Sequence, residues 1–165
     1  MPHYRFMQRI VVIAAATWIT GMALAAPATV PFSASVTVLQ QIEIKEDFNL
    51  NFGKIDKPRA GTQDFTVNFD GSTMVTGSGG GSFIGGHQAG QYDFLGSADE
   101  AVEIDVKRNG GCSNNTLRLD GLSIDVAVPS MLPMNDVKVK GTLRVSAVTP
   151  PGQHTCPYVI TAQYE

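Results

Sequence analysis

The sequence predicts an all-β protein: a single-domain, immunoglobulin-like antiparallel β-sandwich. Three observations predict it. Apolar residues recur at every second position in run after run, glycine-bearing turns separate the runs, and helical spacing is sustained nowhere. Side chains on a strand alternate between its two faces, so a period of two buries one face and wets the other. A closed barrel is the alternative with the same periodicity.

The first 25 residues are expected to take no part in that fold. Arg5 and Arg9, the apolar stretch Ile10–Leu24 and the small-residue ending Ala23-Leu24-Ala25 have the layout of a secretory leader cut before Ala26. The stretch is short and interrupted by Thr17, Thr20 and Gly21, which disfavours a membrane anchor. No cysteine lies at the cut to carry lipid. The expected product is exported to the periplasm, surface or surroundings of a bacterium, with no transmembrane anchor. About 140 residues remain as residues 26–165, one domain by length. Without Arg5 and Arg9, acidic side chains exceed basic ones by about five. Nucleic acid is therefore excluded as a partner, since phosphate binding needs a basic surface.

Along the chain, Val30, Phe32, Ala34, Val36 and Val38 form the first alternating run, continued in parity by Ile42 and Ile44. Phe48, Leu50 and Phe52 form the next, then Phe65, Val67 and Phe69, closed by an Asp70-Gly71 turn. Gly77–Gly90, GSGGGSFIGGHQAG, is half glycine and is expected to be a connector without a strand. It reads either as an exposed recognition loop with Phe83 and His87 at its tip or as a flexible link. No Lys-Ser/Thr pair follows, so it is not a phosphate loop. Val102, Ile104 and Val106 lead to Asn109-Gly110, and Asp120-Gly121 precedes Leu122, Ile124, Val126 and Val128; both Gly pairs are expected to be hairpin turns. Val137, Val139, Leu143 and Val145 follow, and Tyr158, Ile160, Ala162 and Tyr164 end the series.

Two cysteines, Cys112 and Cys156, remain in an exported chain, so they are expected to form one disulfide. Catalytic chemistry finds little to work with. His87 and His154 are the only histidines after the leader, short of the three or four ligands a metal needs. Asp70, Asp120 and Asp136 are scattered singly, without a calcium-loop pattern. No Gly-x-Ser-x-Gly elbow is present, and adjacent acids such as Asp99-Glu100 are ordinary in an acidic chain. The sole tryptophan, Trp18, lies in the leader, leaving no sugar platform; Tyr92, Phe83 and Phe94 read as core. The Asn114-Asn115-Thr116 glycosylation triplet is short enough to arise by chance. No enzyme activity, cofactor or metal is expected.

Taken together, DFNLNFGKI (47–55), the glycine tract leading into HQAGQYDFLGSADEAVEIDV (87–106), GTLRVSA (141–147) and GQHTCPYVITAQYE (152–165) resemble a secreted bacterial family. It is catalogued as domain of unknown function 4402, and the resemblance covers nearly all of the chain after the leader. Asn51 stands where that family often has aspartate, and Cys112 and Cys156 are additions. The family implies a β fold and no stated activity. The last strand is also similar to that of fimbrial subunits assembled by a chaperone and an usher, in the placement of Gly152 and the penultimate Tyr164. Their two cysteines sit toward the N-terminus, so the likeness is of strand pattern and not of disulfide. It implies a sandwich lacking one strand, completed by the N-terminal extension of another subunit, with a periplasmic chaperone and other surface subunits as partners.

The expectation is a non-enzymatic structural or adhesive subunit, pilin-like, that associates by terminal strand pairing. Gly152, Tyr158, Ile160, Ala162 and Tyr164 would line the accepting edge, and Val30, Phe32, Ala34, Val36 and Val38 would fill it. Alternatively the N-terminal run is an ordinary first strand of its own domain, and the protein is a monomeric periplasmic binding module using the Gly77–Gly90 loop.

Overall fold

The computed structural model describes residues 33–165, so the expected leader, Val30 and Phe32 lie outside the described residues. Ser33 to Val36, the described part of the smaller of two compact units, contains no strand. The larger unit, Thr37–Glu165, holds eleven strands. In chain order they are β1 (Glu43–Phe48), β2 (Lys54–Asp56), β3 (Thr62–Val67), β4 (Thr73–Thr76), β5 (Ser82–Gly85), β6 (Gly90–Leu95), β7 (Ala101–Arg108), β8 (Leu117–Ile124), β9 (Ser130–Met131), β10 (Met134–Ser146) and β11 (Tyr158–Tyr164). Every pairing is antiparallel, and no helix occurs among the described residues.

One sheet runs β1-β6-β10-β3-β4, with β8 also on β10. The 13 residues of β10 organise it. Val139 pairs with both Gly90 and Ile124, and Leu143 with both Phe65 and Leu119. A strand has two edges, so β6 and β3 succeed each other along one edge of β10 while β8 occupies the other. The second layer is in two pieces, β11-β7-β9 and β2-β5.

Each piece covers its own core. Under the three-stranded piece, Tyr92, Phe94, Val137 and Val139 meet Val102, Ile104 and Leu132. Under the two-stranded piece, Phe65, Leu117 and Val145 meet Ile55, Phe83 and the Cys112–Cys156 disulfide. The alternation foresaw these faces: Phe65, Val67, Val102 and Val139 are fully buried, each in a strand of period two. The all-β antiparallel sandwich expected from the sequence is the architecture found.

Three local expectations need correction. Asp120-Gly121 is not a hairpin turn, because β8 runs straight through it. Gly121 takes φ +57° at a register shift opposite Lys140 and Thr142, so its freedom serves a bulge. The bulge also changes parity, burying Leu117 and Leu119 before it and turning Leu122 and Ile124 to the core after it. Asn109-Gly110 ends β7 with φ +87° at Gly110, but β7 and β8 belong to different sheets, so it opens a crossing loop. The Gly77–Gly90 tract is not strand-free either: Ser82–Gly85 pairs with Lys54–Asp56. Asp70-Gly71 turns β3 into β4 as expected, with Ser72 N–H donating to Asp70 Oδ1 at 2.9 Å.

Candidate functional site

The two pieces of the second layer leave a cleft between them. β1 and the segment after it, from Ile44 to Gly53, form one wall with Ile55, Asp56 and Lys57 of the β2 side, and Gly152 to Ile160 form the other. Leu117, Leu119, Leu143 and Val145 make an apolar floor, and the cavity measures about 1320 Å³. Among the described residues, β2 and β11 each have a strand along one edge only. The covering layer thus reads β9, β7, β11, a gap, then β2 and β5.

The hydrogen bonding of β11 decides what its free edge offers. Asn109 N–H donates to Pro157 O at 3.0 Å and Glu165 N–H to Ala101 O at 3.2 Å. Hydrogen-bonded pairs alternate along an antiparallel ladder, so the odd-numbered residues of β11 bond to β7. The main-chain groups of Tyr158, Ile160, Ala162 and Tyr164 therefore point to the other edge, where no strand is paired among the described residues. Their side chains turn inward and pack on the upper core.

Two tyrosines of β11 tie it to the β1 region. At the cleft end, the Tyr158 hydroxyl donates to Asn49 Oδ1 at 2.8 Å, accepts from Leu50 N–H at 3.2 Å and meets the Tyr92 hydroxyl. Burial, together with that hydroxyl, pushes the Tyr92 phenol above its ordinary value of 10.0. At the far end, the Tyr164 hydroxyl donates to Gln40 O at 2.7 Å and accepts from Ser97 N–H at 2.8 Å.

The wall from Gly152 to Pro157 has no strand of its own and is held from outside. The disulfide ties Cys156 to Cys112 in the β7–β8 loop. Ser113 N–H donates to Thr155 O at 2.7 Å, and Thr155 N–H to Ser113 Oγ at 3.0 Å. Lys57 Nζ reaches Thr149 O at 3.1 Å and closes the lower end. Gly152 sits in this wall at φ +141°. Pro157, lacking an N–H, takes part in the ladder only through its carbonyl.

The expected site residues are thus partly gathered. Gly152, Tyr158 and Ile160 line the cleft, while Ala162 and Tyr164 lie beyond its end on the same edge. Ala34, Val36 and Val38 belong to no strand, and Val36 and Val38 are 85 % and 83 % exposed. Phe83 is not displayed at a loop tip. Its ring packs edge-on against Phe65 at 5.4 Å and lies 5.3 Å from His87, whose Nδ1 is buried without a hydrogen-bond partner. Among the described residues, no three His, Cys, Asp or Glu side chains are placed to hold a metal, and no helix is long and apolar enough to cross a membrane. Sequence reading missed the floor residues Leu117 and Leu119, although Leu-Arg-Leu continues the alternation into Asp120.

The model of the family described as Domain of unknown function (DUF4402) matches residues 42–164. Neither a curated protein nor a solved structure matches the chain.

Proposed function

The chain belongs to the DUF4402 family, whose description states no activity, and from the geometry we propose a non-enzymatic structural or adhesive subunit that associates through β-strand pairing. The observation that carries this reading is the gap in the second layer between β11 and β2. An added strand would bond to the main-chain groups that β11 directs away from β7, and its inward side chains would cover the floor. One addition satisfies both needs.

The donor that fits is the run Val30, Phe32, Ala34, Val36 and Val38 of another copy. From Ala26 to Gln41 the chain carries no charged residue, so nothing in it opposes burial. The exposure of Val36 and Val38 leaves an apolar face in want of cover. Export to a bacterial periplasm or surface completes the reading, since the disulfide needs an oxidising compartment.

The test is mass by light scattering, with unboiled detergent gels, on the oxidised chain from Ala26 beside one starting at Gln40. The expected result is association by the longer chain and a folded monomer from the shorter. A folded monomer from both would overturn the reading and move attention to single-copy binding through the Gly77–Gly90 segment.

A further inference from the structure

The cleft runs along one end of β11 only. Its lining climbs β11 no further than Ile160 and β1 no further than Ile44. Ile42, Ala162 and Tyr164 lie outside that lining, so the void sits at the Tyr158 end. A strand laid along β11 can therefore seat a bulky residue only at the Tyr158 end and below.

The candidate donor is asymmetric in the same sense. Phe32 lies near its N-terminal end, Ala34 in the middle, and the smaller Val36 and Val38 follow. A buried ring excludes more apolar surface from water than any other side chain in the run, so Phe32 takes the void. Val38 then lies beside the Tyr164 end. β11 itself runs from Tyr158 to Tyr164, so the donor is parallel to it.

Direction decides symmetry. Each run leaves its own body at Gln40, whose N–H donates to Ser97 Oγ at 2.7 Å and whose carbonyl takes the Tyr164 hydroxyl at 2.7 Å. The departure point is therefore the Tyr164 end of the donor's own β11. With parallel entry, Val38 arrives at the Tyr164 end of the acceptor, and two residue steps span about 7 Å at most. The Tyr164 ends of the two copies abut, and each run starts where the other copy's free edge finishes. That arrangement is two-fold and closes on itself, whereas antiparallel entry would set one copy's Tyr164 end against the other's Thr149 end and propagate. Resting on the strand-accepting reading above, we propose that the cleft takes Val30–Val38 of a second copy parallel to β11, with Phe32 on the Leu119–Leu143 floor, and that the exchange is reciprocal and gives a closed dimer.

The test uses the full chain, expressed from Met1 and recovered after export. Paired substitutions are joined with a short bis-maleimide: Ser33→Cys with Val159→Cys, Thr37→Cys with Gln163→Cys, and the crossed pairs Ser33→Cys with Gln163→Cys and Thr37→Cys with Val159→Cys. Twice the monomer mass in solution, with the two uncrossed pairs linking copies, is the expected result. Phe32→Ala should weaken the dimer roughly 100-fold, and Val38→Ala distinctly less. A ladder of masses with the crossed pairs linking copies overturns the direction and the closure while leaving strand acceptance intact. A dimer linked by none of the four pairs, or equal weakening by the two alanines, also overturns it. A folded monomer, whether or not its own run is linked to its own cleft, overturns both this inference and the strand-exchange reading.

Discussion

Replacing Cys112 and Cys156 together by alanine removes the staple that fixes one wall of the cleft. The bridge spans a sequence separation of 44 residues. A loop of that size costs the unfolded chain about 13 cal/mol/K in the chain-entropy model, or about 4 kcal/mol at 25 °C. Both cysteines also pack beside Phe65, Leu117 and Val145, so alanine leaves small voids that add to the loss. The pairing of Ser113 with Thr155 survives and keeps the native wall near its place. Urea unfolding followed by far-UV circular dichroism should show a loss of about 3–5 kcal/mol, with m somewhat larger because the unfolded chain is no longer cross-linked. The melting temperature should fall by about 10–15 °C for a domain of this size. Reduced wild type, which keeps both sulfurs, separates the chain-entropy part from the packing part. A loss below about 1 kcal/mol in both would refute the reasoning, because the bridge would then be restraining nothing in the unfolded ensemble.

Two further outcomes follow from single positions. Gly53 has φ +65°, and a Cβ built on it would collide with Gly85 O and stand 2.5 Å from Gly86 C. Gly53→Ala should therefore prise β2 from β5 and cost at least about 2 kcal/mol by urea unfolding; a change within 0.5 kcal/mol, about the scatter of a neutral surface substitution, would mean no such clash exists. Arg144 holds the Asp64 carboxyl below its ordinary value of 3.8, chiefly through its hydrogen bonds of 2.7 and 2.9 Å. Because the folded value is the depressed one, the pair stabilises the protein above the ordinary value and ceases to do so as pH falls through the folded one. The pair is partly exposed, so Arg144→Gln should cost little at pH 7 and nothing well below the carboxylate range. A difference that persists undiminished in acid would contradict this.

Much of the fold was legible because burial imposes a period of two wherever one face is wet. Phe65 and Val67, Val102 and Ile104, and Val137 and Val139 each declared both strand and inward face. Glycine was harder to interpret, because positive φ serves turns and bulges alike. Asp70-Gly71 makes a hairpin, whereas Asp120-Gly121 kinks a continuous strand, and only the register of β10 tells them apart. The Ser82–Gly85 strand was hidden because a two-stranded sheet lying over Phe65 needs one ring, Phe83, rather than an alternating pattern. At the cleft, the edge residues Tyr158, Ile160, Ala162 and Tyr164 were visible as a run, but the floor was not. It is assembled from β8 and β10, where Leu119 pairs with Leu143 and Leu117 with Val145 across long stretches of chain rather than by local spacing. The tie from Tyr158 to Asn49 and Leu50 leaves no local mark in the sequence at all.

β10 is the strand that both cores share, with Val137 and Val139 in one and Val145 in the other. Its amides should exchange with solvent only when the whole domain opens, and the flanking β11–β7 ladder, seven pairs long, should resist nearly as well. The β2–β5 ladder has three pairs and a register shift, so it should open on its own and far more often. The cleft consequently has walls of unequal stiffness. A guest would meet a fixed template on the β11 side and a yielding cover on the β2 side, which can lift to admit a bulky ring and settle over it afterwards.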